Sequence, residues 1–270
     1  MTILVTGARG AIARAVITAL TTAGHPLRIA TRDPSAVRGE VVGYDAADPG
    51  PALRDVSQVF LYADPASAPA FVAAAEAAGV KQVVLLSSLA SQADHPGDPH
   101  AEAERIIGGG AYATTVLQPG TFMSNVRFWA YQIRATGQVR LPYLDAEEAP
   151  IHEQDIADVA IRVFLDGPGN GHDGRAYGLT GPESMTRRHQ IQLITEITGT
   201  PIDAVDLTPD QARTEMASTM RNPAQLDHLM SYWASRVGSP HPVEPTVELL
   251  TAHPARPFTT WLKDNPAAFA

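Results

Sequence analysis

Val5-Thr6-Gly7-Ala8-Arg9-Gly10-Ala11-Ile12-Ala13 is the stretch on which the reading of this chain turns. It follows an apolar run over 2–6 and opens a helical pattern over 11–23. A glycine-rich turn between a first strand and a first helix is where a dinucleotide fingerprint has to sit. Gly7 permits the tight turn, Gly10 lets the backbone approach a pyrophosphate, and Ala13 is small enough for helix–strand packing. The helix start, Ala11 and Ile12 included, offers unpaired N–H groups and a positive dipole end to phosphates. Turns need glycine anyway, so the placement after strand one carries more weight than the glycines themselves.

Outward from this turn, two periods alternate. Apolar runs at 27–31, 41–44, 56–62, 82–87 and 113–118 read as buried strands, and 66–78 and 98–108 as helices. Strands separated by helices imply βαβ units, right-handed crossovers and a doubly wound parallel α/β sheet. Asp98 and Pro99 suit the N-cap and first position of the third helix, and the glycines at 108–110 stop it. Beyond residue 120 the pattern loosens. Helices are predicted at 121–135, 153–165, 186–198, 208–218, 222–236 and 243–251, with a strand at 175–180. The expected division is a nucleotide-binding domain over 1–150 and a smaller, helix-rich C-terminal lobe over 151–270, some of whose segments return to the sheet.

Composition limits the function classes. The chain has 270 residues, a hydrophobic fraction of 44% and a net charge of -9. That is ample material for a core and a poor match to nucleic acid or an anionic membrane. The absence of cysteine removes disulfides, thiol nucleophiles and cysteine-ligated metal. No run of about 18 apolar residues and no targeting segment is seen, so a cytoplasmic protein acting on a small molecule, as monomer or homodimer, is expected.

The second strand ends Thr31-Arg32-Asp33-Pro34. An acid about 20 residues past the fingerprint binds the ribose hydroxyl of NAD, and an arginine there holds the 2′-phosphate of NADP. Arg32 comes first, and Arg9 in the turn reaches the same side, so NADP is favoured over NAD. Asp33 equally initiates a turn with Pro34. Asp45, with Ala46 after the third strand, faces the adenine in this topology or forms a strand-end turn. Ligands bind beyond the carboxyl ends of such strands, here Tyr62-Ala63, Ser87-Ser88 and Pro119-Gly120-Thr121-Phe122-Met123.

A conventional short-chain dehydrogenase pairs Tyr with a Lys four residues on. The chain has two lysines, and the residues four before Lys81 and Lys263 are Ala77 and Thr259. The Tyr-x-x-x-Lys pair is therefore absent, although Ser87 and Ser88 stand where the usual Ser stands.

The ordered stretches TGARGAIA (6–13), TRDPS (31–35), AGVKQVVLLSS (78–88), HAEAE (100–104), YATTVLQPGTFMSN (112–125), IHEQDIADVA (151–160), AYGLTGPESMT (176–186) and the tail at 254–269 resemble the NmrA-like atypical short-chain dehydrogenase/reductases. The triphenylmethane reductase-like and NADPH:quinone oxidoreductase-like proteins belong to that branch. The resemblance implies a Rossmann-type domain binding NAD(P), a small C-terminal domain closing the substrate cleft, and residues 119–123 lying along the nicotinamide. Gly120 would allow close approach, with Phe122 and Met123 as an apolar wall. Ala13 departs from the glycine usual there, and the helix after strand five carries Glu104 and Arg105 where benzylic-ether reductases have a catalytic Lys.

Three proton donors come into view: His100, whose ordinary pKa is near neutral, Ser88 and Tyr62, with Tyr143 as a further tyrosine. Each has a plainer reading, a first-turn surface residue for His100 and packing for the tyrosines. Phe128 and Trp129 read as core or pocket lining. His95 and His100 lack metal-ligand spacing, and no metal site is expected. Asp155 and Asp158 suit the start of their helix. The leading expectation is an NADP-dependent reductase of a conjugated or aromatic molecule, quinone-like or a secondary-metabolite intermediate. The alternatives are a dinucleotide-sensing regulator and a non-oxidative isomerase or cyclase on the same fold.

Overall fold

A computed structural model describes residues 2–31, 40–91, 98–217, 220 and 223–269. Arg32, Asp33 and His95 lie outside the described residues. In chain order the elements begin β1 (Thr2–Val5), α1 (Ala11–Thr22), β2 (Leu27–Thr31), β3 (Glu40–Gly43), β4 (Val56–Tyr62), α2 (Ala68–Ala78), β5 (Gln82–Leu86), α3 (Pro99–Gly108) and β6 (Ala113–Pro119). There follow α4 (Arg127–Thr136), β7 (Gln138–Pro142), β8 (Glu147–Glu148), α5 (Glu153–Asp166), β9 (Arg175–Leu179), β10 (Met185–Thr186) and α6 (Arg187–Thr198). The last are β11 (Asp203–Leu207), α7 (Pro209–Met216), α8 (Pro223–Ser235), α9 (Thr246–Thr251) and α10 (Phe258–Asp264).

Two compact units share the chain. The first comprises Met1–Gly120, Glu153–Leu179 and Pro245–Pro254; the second comprises Thr121–His152, Thr180–Glu244 and Ala255–Ala270. Strand β9 of the first unit pairs in parallel with β6.

In the first unit all seven strands are parallel, in the order β3-β2-β1-β4-β5-β6-β9. The order runs one way from β1 to β3 and the other way from β4 onward, so the topological switch falls between β1 and β4. Right-handed crossovers then place α1 on one face and α2 and α3 on the other, and α1 packs on α5 while α2 packs on α3. Period two is visible in the core: Leu4, Val59, Leu61, Val83 and Leu85 join Phe71 of α2 and Ile107 of α3. Their neighbours Phe60 and Val84 point to the other face, equally buried.

The second unit is built on α4, α6 and α10, whose Trp129, Ile133, Ile194, Phe258 and Trp261 form one apolar cluster. A smaller cluster joins Leu207, Ala212, Met230 and Trp233. Two short sheets, β10-β8 and β11-β7, complete it. The helix predicted over 121–135 begins as a tight turn, Met123–Val126, before α4. Phe128, expected inside, is 81% exposed, and Met123, expected to wall a ligand, is buried in the apolar cluster. The buried stripe of α4 runs through Trp129, Ala130 and Ile133, and Phe128 falls outside it.

Candidate functional site

The fingerprint turn has the geometry its sequence requires. Gly7 has φ +68°, the left-handed region that glycine adopts without strain. The Gly10 N–H donates to the Gly7 carbonyl at 2.8 Å and closes the turn. Below it, Thr6 is buried and gives both its N–H and its hydroxyl to the Phe60 carbonyl, each at 3.0 Å, locking the end of β1 to β4. Helix α1 starts at Ala11 with Gly10 as N-cap, no side-chain cap and no acid in its first turn. Its leading N–H groups therefore meet no capping side chain and no acid of the helix's own first turn, with Ile12 buried beneath and Arg9 exposed in the turn.

Tyr62, the last residue of β4, lies against this turn. A Cβ at Gly7 would come within 2.6 Å of its ring Cε2, and one at Gly10 within 2.6 Å of its hydroxyl. The backbone N–H of Ala13 lies on the side of that hydroxyl. Burial pushes the phenol above its ordinary pKa, with the Ala13 N–H and nearby Arg14 pulling the other way.

The other strand ends carry specific polar contacts. After β3, the Asp45 carboxylate accepts the Ala47 N–H at 2.9 Å, the strand-end turn that was one of its two readings, beside an exposed Ala46. After β4, the Ala63 N–H pairs with the Leu86 carbonyl at 2.9 Å. After β5, Ser87 is buried and its hydroxyl donates to Glu104 of α3, while Gln118 of β6 donates to both Glu104 oxygens at 3.1 Å. Ser88 accepts the Ala90 N–H at 3.1 Å and belongs to a turn. After β6, the Pro119 carbonyl takes the Leu89 N–H, and the Gly120 N–H reaches Leu179 of β9, both at 2.9 Å. A Cβ at Gly120 would find only ordinary contacts at 3.7 Å, so the protein's own packing does not require glycine there.

His100 occupies the second position of α3, after Asp98, which caps the Ala101 N–H at 2.8 Å, and Pro99. In the second unit Thr121 and Phe122 pair with Ile151, through the Ile151 N–H to Thr121 at 2.8 Å and the Met123 N–H to Ile151 at 2.9 Å. Tyr143 there has φ +54° and packs beside Trp233. At the start of α5, ligand-type atoms of Asp155, Asp158 and His253 approach within 4.8 Å of one another. Asp158 is an ion-pair partner of His253 at 3.2 Å and accepts from Gln154 at 2.9 Å. Among the described residues, no helix is long and apolar enough to cross a membrane.

Sequence reading missed Glu104 as an organiser of the strand ends. A signal existed: it is a carboxylate flanked at i−1 and i+3 by the buried Ala103 and Ile107.

A family described as NAD(P)H-binding matches residues 7–166, from the first fingerprint glycine to the end of α5. The chain belongs to this family. It is an NmrA-like atypical short-chain dehydrogenase/reductase. Among relatives of this NmrA-like protein, the (4-alkanoyl-5-oxo-2,5-dihydrofuran-3-yl)methyl phosphate reductase of Streptomyces griseus is 39% identical, with 99% of each chain covered. The NAD(P)H azoreductase of Xenophilus azovorans is 30% identical, again over 99% of each chain. Among solved structures, an Escherichia coli NADPH-dependent quinone oxidoreductase complexed with NADPH superposes with TM-score 0.80 at 23% identity, covering 97% of this chain and 99% of that one. Triphenylmethane reductase of Citrobacter sp., complexed with NADP(H), gives TM-score 0.78 at 17% identity, with 97% and 99% covered. These structures share the fold of the NmrA-like chain over nearly its whole length.

Proposed function

We propose that this protein is an NADPH-dependent reductase that delivers hydride to an electron-poor double bond of a small conjugated molecule. It is an oxidoreductase of the NAD(P)H-binding family. The observation that carries the finer reading is its end-to-end likeness to the Streptomyces griseus reductase. That enzyme's named substrate has a ring double bond between carbons bearing an alkanoyl group and a methyl phosphate, conjugated with two carbonyls. A quinone, and the azo bond named for the Xenophilus azovorans relative, share the same property of accepting hydride without prior protonation.

The residues present fit a dinucleotide. Gly7 to Ile12 present a left-handed turn and an uncapped, acid-free helix start, which suits a diphosphate. Arg9, with Arg32 at the end of β2 in the sequence, supports the preference for a 2′-phosphate. The bound nicotinamide would supply the hydride, and the protein's part is orientation and exclusion of water. The Ser87 hydroxyl and the Gln118 amide both donate to Glu104, so these hydrogens are turned onto the carboxylate. With no Tyr-x-x-x-Lys pair in the sequence, water protonates the product carbon.

The test is fluorescence titration of the purified protein with NADPH and NADH. NADPH oxidation is then followed against an alkanoyl dihydrofuranone methyl phosphate, a quinone panel and an azo dye. Tighter binding of NADPH and turnover on the dihydrofuranone are expected. Binding without turnover on any acceptor would replace the reductase by a dinucleotide-sensing regulator.

A further inference from the structure

We propose that Tyr62 gates the diphosphate site: in the free protein its ring occupies the cradle between Gly7 and Gly10, and an entering dinucleotide turns it out. The inference rests on the cofactor reading and adds a competitor built into the chain.

Three observations carry it. The first is position. Gly7 lies just past β1 and Tyr62 ends β4, the two strands flanking the topological switch, where an open sheet has its ligand crevice. The second is occupancy. Ring atoms Cε2 and Cδ2 lie 2.6 and 2.8 Å from where a Gly7 Cβ would be, and the hydroxyl 2.6 Å from that of Gly10. The space that the missing side chains leave for close backbone approach is thus filled by an aromatic ring. The third is the position of the hydroxyl. Ala13 is the third residue of α1, and its N–H is among those that no carbonyl of the same helix can reach. The Tyr62 hydroxyl stands on the side of that N–H, the kind of donor that a phosphate oxygen would take.

The ring is held lightly enough to leave. Tyr62 is only partly buried, Gly7 keeps an exposed side, and the ring's aromatic neighbour, Phe60, meets it edge-on at 5.8 Å between centroids. Leaving gives up little beyond that edge contact. The free protein is therefore divided between closed and open cradles, and the apparent affinity for a diphosphate ligand is lowered by the open fraction.

The experiment compares full-length wild type, Tyr62→Phe and Tyr62→Ala by calorimetric titration with NADPH and with adenosine 2′-phosphate, which carries no diphosphate. Stopped-flow association of NADPH is run alongside. With the gate removed, Tyr62→Ala binds NADPH about tenfold tighter, and Tyr62→Phe, which keeps the ring but not the hydroxyl beside Gly10, falls between it and wild type. Adenosine 2′-phosphate changes less than about twofold in either, because it does not enter the cradle. The wild-type association rate levels off with NADPH concentration at the opening rate, and that of Tyr62→Ala stays linear. Equal or weaker NADPH binding by Tyr62→Ala overturns the gate, as does a parallel shift for adenosine 2′-phosphate, which would mark a general change of fold. Failure of all three proteins to bind NADPH would instead remove the cofactor reading itself, and the gate with it.

Discussion

At the residue scale, two side-chain clusters show how polar groups are settled in the sheet unit. Glu104 collects Ser87 and Gln118 at the strand ends. Away from them, His172 is buried between Asp166 at 2.9 Å and the Tyr177 hydroxyl at 2.8 Å, with Arg162 pairing to the same carboxylate. Burial pushes the Asp166 carboxyl up, but hydrogen bonds from His172 and Arg162, with their charges, outweigh it and hold the group below the usual carboxylate range. A carboxyl depressed on folding adds stability above its unfolded pKa of about 4 and loses it as pH falls through the folded value. Wild type should therefore melt above Asp166→Asn at neutral pH by calorimetry. The gap should narrow as the pH falls below about 4 and through the lowered folded value, and a gap that does not narrow on acidification would refute this assignment.

At the element scale, β4 and β5 are tied to α5 by two buried amides. Gln58 and Gln82 stand opposite each other in register. Gln58 donates to Gln82 at 2.6 Å and to the Phe164 carbonyl at 3.0 Å, and Gln82 donates to the Val163 carbonyl at 3.2 Å. These carbonyls lie in the last turn of α5, which has no basic residue to cover it. Gln82→Leu removes one of two donors to the Val163 carbonyl, which keeps the Gly167 N–H, and one of two acceptors of the Gln58 amide, which keeps Phe164, and should cost about 1 kcal/mol in urea unfolding. Amide exchange near the C-terminal end of α5 should rise with it. Much of the fold was legible in the sequence, because each central strand is a short, largely apolar run and the helix starts at Asp98 and Thr186 carry cap residues that do cap. The pairing of β7 with β11 was not legible. These strands are five residues each, lie 60 residues apart and alternate weakly, so nothing local distinguishes them from loops. The same reason hid Tyr62 against Gly7 and Glu104 against Ser87: the partners are chosen by the fold rather than by neighbours in the chain.

At the scale of the whole molecule, the chain passes between its two units five times, at residues 120, 152, 179, 244 and 254. A cut at 152 therefore does not yield a nucleotide-binding domain. It removes α5, which packs on α1, and β9, which covers the edge of β6. A fragment 1–152 should show no cooperative thermal transition and should bind hydrophobic dye, whereas a sharp transition would contradict the sheet unit as described. The late arrival of β9 has a consequence during synthesis. At about 5–20 residues per second, roughly 3–12 s separate completion of β6 from emergence of its parallel neighbour. Through that interval the β6 edge offers an unpaired row of N–H and C=O groups in an apolar strand, a template for another nascent chain. The burden on ribosome-associated chaperones thus falls on the window between Pro119 and Leu179, and shortening the 55-residue interval from 120 to 174 would be the way to lighten it.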